Sequence, residues 1–89
     1  MKSFKLQIVT PEGMYYDGEC VQVNVKTVGG GVSVLANHIP YVTPLAKDGW
    51  CKVYTDENTV RKAYCSGGML TVTPELTRIV ATAFRWEEK

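Results

Sequence analysis

Residues 21–35 of the chain read VQVNVKTVGGGVSVL, and this stretch decides the fold class. Valine alternates with a polar residue from Val21 to Val25, which is the pattern of a half-buried β-strand. The triple glycine Gly29-Gly30-Gly31 interrupts the pattern, and a second alternating segment follows in Val32–Leu35. Two such segments around a glycine turn predict a β-hairpin. We expect the three glycines to supply the turn, since glycine adopts positive φ without steric cost.

The same two-residue period recurs on both sides of this hairpin. Phe4 to Ile8 alternates and ends at the turn signal Thr10-Pro11-Glu12-Gly13. Trp50 to Thr55 alternates again and precedes the polar cluster Asp56-Glu57-Asn58-Thr59, which is suited to a reversal of the chain. Further strands are predicted at Val60–Ser66 and Leu70–Thr73, with Gly67-Gly68 as a break between them.

The last predicted strand is Thr77–Phe84, which is rich in β-branched residues. A single strand there would place Ile79, Ala81 and Ala83 on one side. No long stretch carries apolar residues at helical spacing, and the four prolines fall between the predicted strands or at their ends. The chain order therefore predicts an all-β protein, a sandwich or a barrel, with little or no helix.

Size and composition limit the possible functions. The chain has 89 residues and a mass of 9.9 kDa, so we expect residues 1–89 to form a single domain. A net charge of +1 gives no support to a nucleic-acid partner. No apolar run approaches the roughly 20 residues of a membrane-spanning helix. The start Met1–Lys5 lacks the apolar segment of a secretory signal, and three cysteines without a C-x-x-C pair suit a reducing compartment.

A thiol enzyme is the enzymatic alternative, with His38 as the base for Cys20, Cys51 or Cys65. The spacing of these residues gives it no support. Alternation places Cys51 and Cys65 on the inward faces of adjacent strands, so both are predicted to be buried apolar fillers. The same alternation places Cys20 on the face opposite Val21 and Val23. No metal site is predicted, because ligand pairs normally come at short local spacing.

The remaining candidate chemistry is equally weak. Gly29–Gly31 lacks the Lys-Ser or Lys-Thr of a phosphate-binding loop, and neither it nor Ser66-Gly67-Gly68 opens a predicted helix. The carboxylates are scattered, so no acid–base pair is formed. We predict no catalytic residue and no cofactor. His38 either bonds to backbone within its turn or contacts a partner together with Ile39 and Tyr41.

Three motifs carry a resemblance to a known family. They are Leu6-Gln7-Ile8-Val9-Thr10-Pro11-Glu12-Gly13, then Leu35-Ala36-Asn37-His38-Ile39-Pro40 with Thr43-Pro44-Leu45, and then Ser66-Gly67-Gly68-Met69-Leu70-Thr71-Val72. With Ala81–Glu87 after them, the chain resembles, over nearly its whole length, the N-terminal domain of the epsilon subunit of F-type ATP synthases. The resemblance implies a flattened β-sandwich of about ten strands with little or no helix.

The chain departs from the family pattern at several points. Asn37 stands where relatives usually have glycine, and Gly31 occupies a loop position that is often acidic in relatives. The sequence stops at Lys89, about where a two-helix C-terminal domain normally begins in the family. A chain of this length is expected to lack the inhibitory arm and the nucleotide site of that domain.

The resemblance implies a non-catalytic part of a rotor. The domain would dock on the gamma subunit and rest against the c-ring, coupling proton-driven rotation to ATP synthesis or hydrolysis. It would lie at the cytoplasmic face of the cell membrane, peripherally, held there only through the complex. The implied gamma or c-ring contacts lie at one end of the sandwich, in the glycine hairpin and in a loop from His38 to Thr43. They are Gly29, Gly30, Gly31, His38, Ile39, Tyr41, Val42 and Thr43.

A free-standing β-sandwich module that binds an unrelated protein or a small ligand is the alternative from a different class. An exposed row of aromatic side chains at alternating positions of one sheet face would favour this module. Tyr15 and Tyr16 do not form such a row, because adjacent residues of a strand are expected to point to opposite faces.

Overall fold

The computed structural model describes residues 2–36 and 39–87, and the described residues contain ten strands and no helix. The prediction of an all-β fold of about ten strands is therefore confirmed. The strands are β1 (Phe4–Thr10), β2 (Gly13–Cys20), β3 (Gln22–Thr27), β4 (Gly30–Leu35), β5 (Tyr41–Pro44), β6 (Gly49–Asp56), β7 (Thr59–Ser66), β8 (Met69–Val72), β9 (Thr77–Val80) and β10 (Ala83–Trp86).

Two five-stranded sheets form a sandwich around one apolar core. The first sheet has the strand order β2-β1-β9-β8-β5, and the second has the order β10-β7-β6-β3-β4. The β1–β9 pair is parallel, and the other paired strands are antiparallel. The sandwich consequently has two lateral sides, one formed by β2 and β10 and the other by β4 and β5.

The hairpin predicted around the triple glycine is formed by β3 and β4. Its inward residues Val23 and Val25 are fully buried. The turn itself is Val28-Gly29, whereas Gly30 and Gly31 already belong to β4. Only Gly30 of the three glycines has a positive φ, at 118°. The expectation that all three glycines supply the turn is therefore too broad.

Inward residues of both sheets build the core. Leu6 and Ile8 of β1, with Leu70 and Ile79 of its sheet neighbours, are fully buried. Burying one such side chain contributes about 1.5–3 kcal/mol. The alternation that predicted the strands is thus the alternation between core and solvent.

The three cysteines all lie in this core. Cys51 and Cys65 face inward from β6 and β7, as predicted. The expectation for Cys20 is wrong, because the chain passes from the first sheet to the second between Cys20 and Gln22. Residues on the two sides of that crossing face each other across the core, so Cys20 is fully buried.

A second crossing divides the predicted strand Thr77–Phe84 into β9 and β10, which belong to different sheets. The N–H of Ala81 donates to a carbonyl of β1 at 2.9 Å, whereas that of Thr82 donates to a carbonyl of β7 at 3.1 Å. The change of sheet also changes which residues face inward. Ala81 is buried as predicted, but Ala83 is exposed and Phe84 is buried in its place.

The side formed by β2 and β10 is closed by aromatic rings. The Tyr15 and Phe84 rings lie 5.2 Å apart, the Phe84 and Trp86 rings 5.0 Å apart, and Trp86 Nε1 donates to the Tyr15 carbonyl at 3.4 Å. The expectation of opposite faces for Tyr15 and Tyr16 is wrong. The pairing of β1 with β2 skips Tyr15, and this β-bulge lets both tyrosines pack against the core.

Candidate partner-binding surface

The other lateral side of the sandwich is the candidate docking surface, and we call residues 28–35 and 39–44 the β4–β5 edge. β4 and β5 are the terminal strands of their sheets, so each presents one backbone side without a neighbouring strand among the described residues. The two sheets meet here through a bridge between Thr27 and Leu45, and the Val28 N–H donates to the Pro44 carbonyl at 3.2 Å. These bonds hold the glycine turn beside the end of β5.

All the predicted contact residues that the structure describes lie on this edge, and His38 lies outside the described residues. Their segments differ from the predicted ones, because the expected loop up to Thr43 is in part a strand. Gly29 lies in the turn, Gly30 and Gly31 begin β4, Ile39 precedes β5, and Tyr41, Val42 and Thr43 belong to β5.

The glycine turn and the segment that carries Ile39 lie at opposite ends of the edge. The turn precedes β4 and the segment follows it. The six residues of β4 span roughly 17 Å at 3.4 Å per residue. The predicted contacts therefore share one edge of the sandwich rather than one end, and the two ends of this edge are far enough apart to contact different partners.

The side chains of the edge are not equally available. Ile39 and Val42 are 74% and 60% exposed. Tyr41 packs against the core, and Thr43 pairs with Leu70, whose side chain is fully buried. An apolar partner would therefore contact Ile39 and Val42, whereas Tyr41 and Thr43 belong largely to the fold.

An apolar row crosses the outer face of the first sheet and begins at this edge. The strand register brings one outward residue of each strand into line, in the order Pro44, Met69, Val80, Val9 and Met14. Met14, Met69 and Val80 are 52%, 44% and 43% exposed. Sequence reasoning missed this row, because its members come from five strands and only the register aligns them.

A polar row runs parallel to the apolar row. Arg78 Nη2 donates to Gln7 Oε1 at 3.0 Å, and Gln7 Nε2 donates to Asp17 Oδ1 at 3.4 Å. A groove of about 450 Å³ includes Met69, Arg78 and Val80 in its lining. An apolar strip with a hydrogen-bonded polar border is the usual anatomy of a protein–protein interface.

The buried thiols do not support the thiol-enzyme alternative. Burial raises the pKa of Cys20 to about 12 and that of Cys65 to about 11, and burial also raises the pKa of Cys51. All three therefore stay protonated at neutral pH, whereas a nucleophile must be a thiolate. Within residues 2–36 and 39–87, no cluster of three or more His, Cys, Asp or Glu side chains could hold a metal ion.

The fold and its surfaces define a class, that of small β-sandwich domains with an apolar edge and face open to protein partners. The part of the chain that the structure describes has no helix long and apolar enough to cross a membrane. The family described as "ATP synthase, Delta/Epsilon chain, beta-sandwich domain" matches residues 3–87. The chain belongs to this family.

Curated relatives agree with that assignment. The chain is 36% identical over 88 residues to the ATP synthase epsilon chain of Clostridium novyi, covering 99% of this chain and 66% of the relative. It is 41% identical over 83 residues to that of Bacillus velezensis, covering 93% of this chain and 61% of the relative. It thus spans less than two thirds of the length of these curated relatives.

A solved structure shares the fold. A chain in the cryo-EM structure of Euglena gracilis mitochondrial ATP synthase, OSCP/F1/c-ring in rotational state 1, superimposes with a TM-score of 0.87 at 19% identity. The match covers 98% of this chain and 56% of that chain. At this identity the similarity shows that the two chains have the same sandwich.

Proposed function

We propose that the chain is a non-catalytic subunit of the central stalk of a proton-translocating F-type ATP synthase. Residues 1–89 act in this proposal as one domain, which transmits c-ring rotation through the gamma subunit to the catalytic subunits. The chain lies peripherally at the cytoplasmic face of the cell membrane and is held there by the complex. It needs no cofactor for this role.

The observation that carries the proposal is the family match across residues 3–87, which spans both sheets and both lateral sides. The exposed apolar surface supports it. Val28, Leu35, Ile39 and Val42, all of the β4–β5 edge, are between 44% and 74% exposed. The apolar row on the first sheet continues this surface, and contiguous exposed apolar surface is typical of docking sites on soluble proteins.

The two ends of the β4–β5 edge have different chemistry, so we assign them to different partners. Gly29 of the turn and Gly30 and Gly31 of β4 have no side chain, which lets a polar loop of the c-ring approach the backbone closely. Ile39 lies towards the other end and Val42 lies within β5, and both are apolar and exposed, which suits an apolar surface of gamma. Backbone hydrogen bonds join the two sheets at this edge, which is consistent with an edge that transmits torque.

The proposal can be tested by co-purification from solubilised membranes of the source cell. The tagged chain should recover gamma and the c-ring, and the double variant Ile39→Asp, Val42→Asp should lose gamma, because two charges would be placed in the apolar contact assigned to gamma. Val60→Asp is the matched control, since Val60 is a 41% exposed valine of β7, outside the edge. Thr43 is unsuitable for substitution, because it faces inward.

Two results would overturn the proposal. The first is a wild-type chain that recovers neither gamma nor the ring, which would favour the free-standing binding module. The second is a double variant that recovers as much gamma as the Val60→Asp control does, which would remove the β4–β5 edge from the contact with gamma.

A further inference from the structure

The two sheets differ in charge, although the whole chain is nearly neutral. The strands of the first sheet carry Lys5 and Arg78 against Asp17 and Glu19, a net charge of zero. The strands of the second sheet carry five basic residues and one acidic residue, a net charge of +4. The five are Lys26, Lys52, Arg61, Lys62 and Arg85, and the acidic residue is Asp56 at the hairpin end of β6.

Four of these cations lie on the outer face of the second sheet, around two aromatic rings. Trp50 and Tyr64 pair across β6 and β7, and Arg85 of β10 pairs with Tyr64. Lys52 Nζ lies 5.5 Å from the centre of the Trp50 ring, and Arg85 Cζ lies 5.2 Å from that of Tyr64. We call Lys26, Trp50, Lys52, Lys62, Tyr64 and Arg85 the basic-aromatic face.

The basic-aromatic face places two like charges on directly opposed residues. Lys52 and Lys62 are direct cross-strand partners, and the neighbour of Lys52 on its other side is the neutral Asn24. Like charges in directly opposed positions destabilise a sheet. Two acidic residues border the face. The Asp48 carboxylate accepts a hydrogen bond from the Tyr64 hydroxyl at 2.8 Å, and the backbone N–H of Glu87 donates to the Lys62 carbonyl at 2.8 Å. Four basic residues against two bordering acidic residues leave the face positive.

We propose that the basic-aromatic face binds a carboxylate-rich segment of a protein partner. Carboxylates would complement the four cations, which include the opposed pair Lys52 and Lys62. The arrangement of the rings favours this occupant over a nucleic acid. Bases bind by stacking on open ring faces, whereas Lys52 and Arg85 lie over the faces of Trp50 and Tyr64.

Fluorescence anisotropy of a fluorescein-labelled glutamate-rich peptide, titrated with the full chain at low salt, tests the proposal. The matched probe has glutamine in place of every glutamate. We expect the acidic peptide to bind and the glutamine peptide not to bind. Lys52→Gln with Arg85→Gln should weaken binding about tenfold, because both removed charges lie in the contact. Lys2→Gln with Lys5→Gln removes the same charge elsewhere and should change the affinity less than about twofold.

The outcomes separate this proposal from the rotor proposal. The Ile39→Asp, Val42→Asp variant should bind the acidic peptide as the wild type does, since its changes lie on the β4–β5 edge. Equal affinity for the glutamine peptide, or equal loss in the two charge variants, would overturn the proposal. Tighter binding to single-stranded RNA or to phosphatidylglycerol vesicles than to the acidic peptide would also overturn it, in favour of a different class of partner.

Discussion

Gly29 and Gly30 of the glycine hairpin stand in open surroundings, whereas the glycines of Ser66-Gly67-Gly68 are enclosed by the fold. A Cβ on Gly30 would meet no atom within 4 Å, and one on Gly29 would lie 3.8 Å from Thr27 Oγ1. A Cβ on Gly68 would overlap the carbonyl oxygen of Val80 and lie 2.8 Å from its carbonyl carbon. Packing thus requires glycine at one segment and leaves space at the other.

The difference shows which glycines belong to the core architecture. Ser66-Gly67-Gly68 carries the chain from the second sheet to the first, and the Leu45 N–H donates to the Gly68 carbonyl at 2.9 Å. Gly67 and Gly68 have φ values of 70° and 100°, which favour glycine, and neither position has room for a Cβ without a shift of its neighbours. No core residue needs Gly29 to be small, which is why we relate the turn to docking.

Gly68→Ala should have the largest effect on stability. It combines a φ of 100° with a backbone overlap, so the free energy of unfolding should fall by about 3 kcal/mol or more. A domain of this size is expected to have only roughly 4–13 kcal/mol in total. Urea unfolding would measure the change. A loss below about 1 kcal/mol would mean that β8 and β9 can separate. It would contradict the claim that packing requires glycine at position 68.

Gly30→Ala should have an intermediate effect. Its φ of 118° strains an alanine, but no atom lies near its Cβ, so we expect a loss of about 1–2 kcal/mol. The same unfolding experiment makes this variant the matched control for Gly68→Ala, because it isolates the backbone strain from the overlap. Equal losses in the two variants would show that the overlap adds nothing.

Stability should also depend on pH through the buried thiols, which include Cys65, the residue before Ser66-Gly67-Gly68. Burial raises the pKa of Cys65 to about 11 in the folded chain, above the value of about 8.5 for an exposed thiol. The folded state therefore holds the proton more tightly, and stability should be constant below pH ~8.5 and fall above it as pH approaches 11.

Cys65→Ala should reduce this alkaline fall, and the remaining slope should reflect Cys20 and Cys51, whose pKa values are also raised. Urea unfolding at a series of pH values would measure the slope. If the slope of unfolding free energy against pH is unchanged in Cys65→Ala, the Cys65 thiol is not buried in the way the structure describes.

Gly29→Ala should have the smallest effect. The Gly29 N–H donates to Thr27 Oγ1 at 3.1 Å, and alanine keeps this donor. We expect a change in unfolding free energy within about 0.5 kcal/mol. A loss above about 2 kcal/mol would give this turn the same structural role as Ser66-Gly67-Gly68.

The sequence predicts those parts of the fold where alternation runs without interruption. The β3–β4 hairpin and the pair β6 and β7 are of this kind. The crossing at Ala81-Thr82 has no turn signal, so β9 and β10 look like one strand. β5 has only four residues and ends at Pro44, and it looks like a loop. In both cases the structure depends on hydrogen bonds to strands that are far away in the sequence. The residues of the segment itself do not reveal these bonds.

The candidate surface could be predicted only in part. The contact residues from Gly29 to Thr43 were predicted from the resemblance to a family. That the turn and Ile39 lie at opposite ends of β4 is known only from the structure. The apolar row and the basic-aromatic face are set by cross-strand register, because neighbours such as Met69 and Val80 come from separate strands. The composition does not reveal the basic-aromatic face, because the net charge of the whole chain is only +1.

The affinity of the full chain for purified gamma subunit is the most direct measurement. Isothermal titration calorimetry should give a dissociation constant of about 1 µM or tighter for the wild type and for Val60→Asp, corresponding to roughly 8 kcal/mol. The Ile39→Asp, Val42→Asp variant should bind at least about tenfold more weakly, since it places charge in an apolar contact. Absence of wild-type binding at micromolar concentration, or equal binding by all three chains, would contradict docking through the β4–β5 edge.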